Sequence, residues 1–478
     1  MLGVIVRRGK ASGGGRQWQL WHYCHSITTK AYSQNCLRGG GGGGGGAVMS
    51  FGDGSHGALG LPSSSFGLGT DAYEPTLVPA VPPIITTIAA GHYHSLAVTA
   101  EGHVWAWGRN REFQLGRSPS SNSGSDSWNE PGKVQGLDQV RVSGVSASGV
   151  VSAAIGDDGS LWVWGKSKRG QLGLGRGVIE SPLPSRVDSL AGEHIVKVSF
   201  GWGHALACTK DGKLFGWGYS ADGRLGRING GTASYYSTRD PSSSSSLDVA
   251  ERAVLEQMEK ENFMPTVWEP TLVQESHGFQ VSDIACGHDH SLVLFSGGRL
   301  ISGGSNQNGQ LGRRQVTPPP PPPYLVDMLQ VEMSALPLSI SAGLGHSFAV
   351  KGLEGETPLS VSGGRAVYWG GECPSSPARQ KQENVRVSVS VVEDVYLTSV
   401  DGRSFHTLVL PEGGRLISSG CARAKRCALC SGRDYPTPCS LDDSDITIFE
   451  GVCGHDHFAA RRCSGRYHRI GIRFPYYP

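Results

Sequence analysis

Histidines stand in pairs, one residue apart, at His92/His94, His288/His290 and His455/His457. Two imidazoles at that spacing could begin a zinc site. The second member of each pair belongs to a wider pattern, however, because His204, His346 and His406 occupy the same place in related phrases. A side chain that returns once per repeat is expected to pack and hydrogen-bond, so no metal is assigned to these positions. Cys421, Cys427, Cys430 and Cys439 form a second group. The two-residue gap between Cys427 and Cys430 lets two thiolates reach one zinc. The wider spacing matches no strong zinc pattern, and Arg423, Lys425 and Arg426 make the segment basic, so zinc there is the weaker alternative. No serine–histidine–acid signature, phosphate loop or nucleotide fingerprint stands out. Catalytic residues and cofactors are accordingly assigned to none, and an enzyme is not expected.

The histidines lie in a phrase that starts at Gly91, Gly201, Gly287 and Gly343, with weaker copies at 148–155, 403–410 and from Gly454. In the second copy Val151 takes the histidine place. A partner phrase follows: Trp107-Gly108, Trp164-Gly165, Trp217-Gly218, Gly303-Gly304 and Trp369-Gly370, with a weaker Ser419-Gly420. After the first four come Gln114-Leu-Gly116, Gln171-Leu-Gly173, Arg224-Leu-Gly226 and Gln310-Leu-Gly312. The unit is roughly 55 residues long, except between His204 and His290, where roughly 30 are inserted. Periods on this scale signal a repeat architecture.

Within one unit, His94, Leu96 and Val98 alternate with Ser95 and Ala97, the period of a half-buried strand. Gly102, Gly159 and Gly212 mark hairpin turns to an aromatic-rich second strand. The leucine of Gln-Leu-Gly is expected to plug a further turn. Two less regular strands would complete a four-stranded blade, and such sheets stack radially. The chain's first phrase is of the second kind (Ser50-Phe-Gly52, Gly57-Ala-Leu-Gly60) and its last is of the first kind, containing His457. One blade is therefore expected to be shared between residues near 48–52 and 454–460. The expected fold is all-β, a seven-bladed β-propeller closed by N- and C-terminal strands, which removes exposed sheet edges.

The Gly-His-x-His-Ser strand, the Trp-Gly and the Gly-Gln-Leu-Gly together resemble the regulator of chromosome condensation repeat family, over about 410 residues. The resemblance implies a seven-bladed propeller. It also implies three classes of activity. One is guanine-nucleotide exchange on a Ran-like small GTPase. Another is ultraviolet-B reception in plants, built on repeated Gly-Trp-Arg-His-Thr phrases. Here Gly201-Trp-Gly-His-Ala205 has Gly203 in the arginine place, while His92, His288 and Leu344 stand in the tryptophan place, so that cluster is missing. The third is a non-catalytic platform for protein partners, with organellar members in RNA processing or ribosome assembly. The scaffold is the preferred expectation, exchange the first alternative, and RNA a partner if the protein is organellar.

Composition agrees with a turn-rich β protein: 70 of 478 residues are glycine, roughly twice the average share. The formal net charge of +2 provides no general attraction to nucleic acid. No apolar run is long enough for a membrane helix. Eleven cysteines show no disulfide framework, which suits a reducing compartment. Residues 1–47 are expected to be a disordered extension; through residue 52 the chain is basic and lacks Asp and Glu, the composition of an organellar targeting peptide. A mitochondrial location is preferred, with plastid or cytoplasm and nucleus as alternatives. The propeller is placed at 48–460. Its insertion at 229–263 has a Ser/Gly-rich part and a helical part (247–263, with Val249, Ala253, Leu255 and Met258 in rough helical spacing) and is a candidate partner-binding loop. Pro318–Pro323 reads as a stiff polyproline loop. Residues 461–478 form a basic, aromatic, irregular tail.

Overall fold

In the computed structural model the described residues are 47–54, 56–62, 71–118, 128–228, 265–274, 278–307, 309–312, 328–331, 337–343, 345–351, 365–370, 397–403, 406–411, 416–419, 437–439, 447–453 and 457–463. The only helices among them are two short 3-10 turns, Asp188–Leu190 and Ala221–Gly223. The strands form small antiparallel sheets in chain order. The first sheet holds Ile85–Ala90, His94–Thr99, Val104–Gly108 and Gly132–Lys133. The second holds Val142–Ser148, Val151–Gly156, Leu161–Lys166 and Glu180–Arg186. The third holds Ile195–Phe200, His204–Thr209, Leu214–Tyr219 and Thr266–Leu272. The fourth holds Val281–Cys286, His290–Phe295, Leu300–Gly304 and Leu329–Val331.

Two later sheets follow the same order: Pro337–Ala342, His346–Lys351 and Arg365–Gly370, then Leu397–Arg403, His406–Pro411, Leu416–Ser419 and Thr437–Cys439. A further sheet draws on both halves of the chain, in the order Ala72–Leu77, Ala47–Gly52, His457–Cys463, Thr447–Cys453. In it Phe51 faces Phe458 and Gly52 faces His457 across an antiparallel ladder.

Every sheet repeats one irregularity. The register slips by one residue between its first two strands, at Ile85/Thr87, Val142/Gly144, Ile195/Lys197, Val281/Asp283, Pro337/Ser339, Leu397/Ser399 and Ile448/Glu450. Such a bulge bends the strand and strengthens its twist. In three sheets the residue at the slip is a hydroxyl that donates across it: Thr86 to the Val98 carbonyl, Ser143 to Ile155 and Ser282 to Leu294.

The core lies between neighbouring sheets. Leu96, Leu115 and Val134 of the first sheet and its turn pack with Val145, Ala154 and Trp164 of the second. Leu172 of the second packs with Phe200, Ala205 and Trp217 of the third. Leu225 of the third packs with Ile284, Val293 and Ile301 of the fourth. The plug leucines Leu59, Leu115, Leu172, Leu225 and Leu311 are all buried. Each sheet is thus completed by its neighbour, which is the nearest-neighbour energetics of a repeat protein.

Candidate functional site

The repeated histidine is spent at the junction between sheets. His94 Nε2 lies 2.8 Å from Ser152 Oγ of the next sheet. His204 makes the same contact with Ser291 at 2.8 Å, and His290 with Ser347 at 2.9 Å. Ser152 Oγ donates to the Gln114 carbonyl, and Ser347 Oγ to the Gln310 carbonyl, each at 2.7 Å. A hydroxyl that has given away its proton can only accept, so His94 and His290 donate from Nε2–H. The Gln114 carbonyl also takes the Trp164 indole N–H at 2.9 Å. Trp217 donates likewise to the Gln171 carbonyl, and Trp107 to the Ala58 carbonyl. Between the first and second sheets the His, Ser, Trp and Gln-Leu-Gly of the two phrases therefore meet at one buried point.

The glycines follow from that crowding. A Cβ on Gly91, Gly201 or Gly287 would collide with the ring of His94, His204 or His290. Gly108 sits at φ +110 with the Tyr93 carbonyl where its Cβ would be. Gly165 and Gly218 share this left-handed geometry.

The junction of the second and third sheets has lost its histidine and serine together. Val151 replaces the histidine of the second sheet, and Ala205 replaces the serine of the third that would have received it. Both side chains are buried in one apolar cluster. Losing both partners together avoids leaving a buried polar group unpaired, which costs about 1–3 kcal/mol. The Gln171 amide instead donates to the Gly201 carbonyl at 2.6 Å.

Burial pushes the His204 imidazole well below its ordinary value, and the nearby Arg224 charge adds to this. Burial likewise pushes the Cys208 thiol up to about 12, so it is unreactive at neutral pH. Among the later repeat positions, His346 pairs in register with Gly370, Ser347 with Trp369, and His406 with Arg403. Gly343 is buried at the end of its strand. Cys439 lies on a strand opposite Leu416. Gly454, Cys421, Cys427, Cys430, the 229–263 insertion, Pro318–Pro323, residues 1–46 and residues 464–478 lie outside the described residues.

The first residues of the histidine pairs do something else. The loops joining first and second strands place three rings in a row. His92 stacks on Trp202 at 5.4 Å and 28°, and Trp202 on His288 at 5.0 Å and 18°. The row crosses the second sheet, whose loop offers Gly149 with open space around it. Backbone bonds tie the loops together, from His92 N to the Gly149 carbonyl, Trp202 N to the His288 carbonyl and His288 N to the Gly343 carbonyl. Trp202 remains 41% exposed.

Charged groups lock the row. Arg224, which takes the glutamine place of its turn, is buried and reaches Asp289 at 2.8 Å. Asp289 also accepts His288 Nδ1–H at 2.6 Å. Burial alone would raise the Asp289 carboxyl, but the His288 hydrogen bond and the His288 and Arg224 charges outweigh it and hold it well below the usual carboxylate range. The Arg224 guanidinium covers Tyr219 at 4.6 Å, Arg169 approaches Trp202 at 5.7 Å, and Arg109 lies over Tyr93 at 5.3 Å. The sequence shows His92 and His288 only as departures from a photoreceptor phrase, and it does not single out Arg224 and Asp289. The paired change of Gln to Arg224 and the acid at Asp289 were the signal available for finding them.

Fold and junctions define a repeat protein of small antiparallel sheets, six of four strands and one of three among the described residues. A family model described as the RCC1-like domain matches residues 47–460, and the chain belongs to that family. It is 32% identical over 290 residues to the ultraviolet-B receptor UVR8 of Arabidopsis thaliana, covering 60% of this chain and 54% of the receptor. It is 31% identical to the mitochondrial RCC1 domain-containing protein RUG3 of the same plant, over 55% of this chain and 50% of RUG3. The chain therefore spans about half the length of these curated relatives. Among solved structures it is similar to Prp20p of Saccharomyces cerevisiae, at TM-score 0.66 and 21% identity, over 88% of this chain and 92% of Prp20p. It is also similar to human WBSCR16, at TM-score 0.63 and 18% identity, over 88% of this chain and all of the human chain (100%).

Proposed function

We infer that this chain is a non-catalytic protein-interaction scaffold, a closed seven-bladed propeller over 48–460 that presents its ring-lined end to a partner. Closure is supported by the first strands, which lie side by side from sheet to sheet until Thr447–Cys453 returns against Ile85–Ala90. The pairing of Ala47–Gly52 with His457–Cys463 supports it as well. One observation carries the scaffold reading: the repeated His, Ser and Trp are consumed in junctions, while residues that differ between repeats are gathered and braced at one end. A rigid frame with variable loops suits recognition. Affinity capture of the full chain from its own cells tests this. Recovery of a stable partner that a Trp202→Ala chain no longer retains is expected; partner recovery indifferent to every change at this end would overturn it.

Likeness to the secretion-regulating guanine nucleotide exchange factor of Mus musculus favours a second reading. That protein is 30% identical over 311 residues, 63% of this chain and 60% of the mouse protein. A nucleotide-release assay over a panel of small GTPases decides it, and no acceleration with any of them leaves the scaffold. A mitochondrial location rests on the basic, acid-free residues 1–52 and on the printed location of RUG3. Fusing 1–52 to a fluorescent protein is expected to label mitochondria, and a diffuse cytosolic signal would refute it.

A further inference from the structure

Antiparallel strands alternate direction, so the loops between first and second strands share one end of each sheet with the connections between third and fourth strands. The second-to-third hairpins lie at the opposite end. Charge divides along the same line around the first three sheets. The hairpins carry Glu101, Asp157, Asp158 and Asp211 against Lys210 and Lys213, an acidic balance. The Trp202 end carries Arg109, Arg111, Lys168, Arg169 and Arg176. The carboxylates near these cations are largely taken: Glu112 by Arg109, Glu180 by Lys166, and Asp222 and Asp289 by Arg224. Glu130, next to the outermost strand of the first sheet, and Glu269, beside Gly175 on the outermost strand of the third, are the exceptions. Among the described residues Arg111, Lys168, Arg169 and Arg176 have no carboxylate partner, and all but the half-buried Arg169 are exposed.

Aromatic and basic groups together could meet either an acidic polypeptide or single-stranded nucleic acid. Nucleic-acid platforms work by offering open ring faces on which bases stack. Around Trp202 the ring faces are already covered. Trp202 lies between His92 and His288. Tyr93 lies between His56 and Arg109, and Tyr219 lies under Arg224. What reaches solvent is ring edge and unpaired cation. Ring edges suit aliphatic and aromatic side chains, and unpaired cations suit carboxylates.

We propose that this end docks an acidic polypeptide segment, anchored on the exposed edge of Trp202 and held by Arg111, Lys168, Arg169 and Arg176. The proposal rests on the scaffold reading and names the face and the chemistry of its partner. The four cations supply attraction and steering, which weaken as salt rises. The indole supplies the desolvated anchor typical of an interface hot spot.

Fluorescence anisotropy on the full chain tests it, using a labelled peptide of alternating Glu and Leu or Phe, its Gln counterpart, and a uridine oligonucleotide of equal length. The acidic peptide is expected to bind and the Gln peptide not. Trp202→Ala and the pair Lys168→Glu/Arg169→Glu should each weaken binding by about tenfold or more. Lys210→Glu, at the opposite end, should leave it unchanged, and unaltered melting temperatures would show that the variants are folded. Absence of peptide binding, equal weakening by Lys210→Glu, or tighter binding of the oligonucleotide with the same variant dependence would overturn it. If captured cellular partners survive the Lys168→Glu/Arg169→Glu change, the docking proposal fails while the scaffold reading stands.

Discussion

At the scale of single residues, the histidines of this chain divide by burial. His94, His204 and His290 are sealed in junctions, whereas His92 and His288 flank an exposed indole. A sealed neutral imidazole links stability to pH. Because the folded value of His204 lies below the unfolded one, the unfolded state takes up more protons as pH falls. Stability is then fully present above the unfolded pKa of about 6.5 and declines as pH drops below it. Urea midpoints are expected to fall between pH 7.5 and pH 5.5, with a smaller fall in a His204→Asn chain; identical falls in both chains would show that His204 is not responsible. The Val151/Ala205 junction makes a sharper claim. Val151→His alone buries an imidazole with no hydroxyl to receive its proton and should cost about 1–3 kcal/mol. Adding Ala205→Ser should recover part of that loss, with a coupling of about 0.5–3 kcal/mol in a double-mutant cycle. Strict additivity would sink the account of paired loss.

At the scale of one sheet, the buried turn after the third strand ties each sheet to the next. Its leucine fills the space between neighbours, and its preceding carbonyl receives the next sheet's tryptophan and serine. Leu172→Ala should therefore destabilise by about 2–5 kcal/mol. Leu183→Ala, on a 39% exposed side chain of the adjoining outer strand, should cost less than about 1 kcal/mol. Thermal melts of the two variants decide whether the plug or general hydrophobic content holds the sheet. These elements were legible in sequence. Gly-Gln-Leu-Gly, the hairpin glycines and the alternating strand each carry a local signature. The bulge near the start of each first strand had none, because it arises from how the first two strands pair, and Thr86, Ser143 and Ser282 look like ordinary strand hydroxyls until the pairing is seen.

At the scale of the molecule, one sheet is assembled from segments about 400 residues apart. Removing 47–52 would leave Ala72–Leu77 and His457–Cys463 without the strand between them. Unpaired edges invite association. A chain beginning after residue 52 is expected to elute as oligomers in size exclusion with light scattering, and a stable monomer with unchanged melting would argue against closure. The same scale explains the candidate site. Its rings come from loops of different sheets, and Arg224 and Asp289 stand 65 positions apart along the chain. No local pattern could place them together.

By itself the sequence determined the repeat, the strand-and-turn content of each unit, the burial of the plug leucines and the sharing of one sheet between the two halves of the chain. These follow from periodicity, because a residue needed in every repeat must recur in every repeat. Tertiary structure alone decided what the non-recurring members His92 and His288 do. It alone brought His92, Trp202 and His288 into one row and placed the unpaired cations beside it. Those outcomes depend on angles between sheets and on residues that occur once, and a periodic signal carries no information about either.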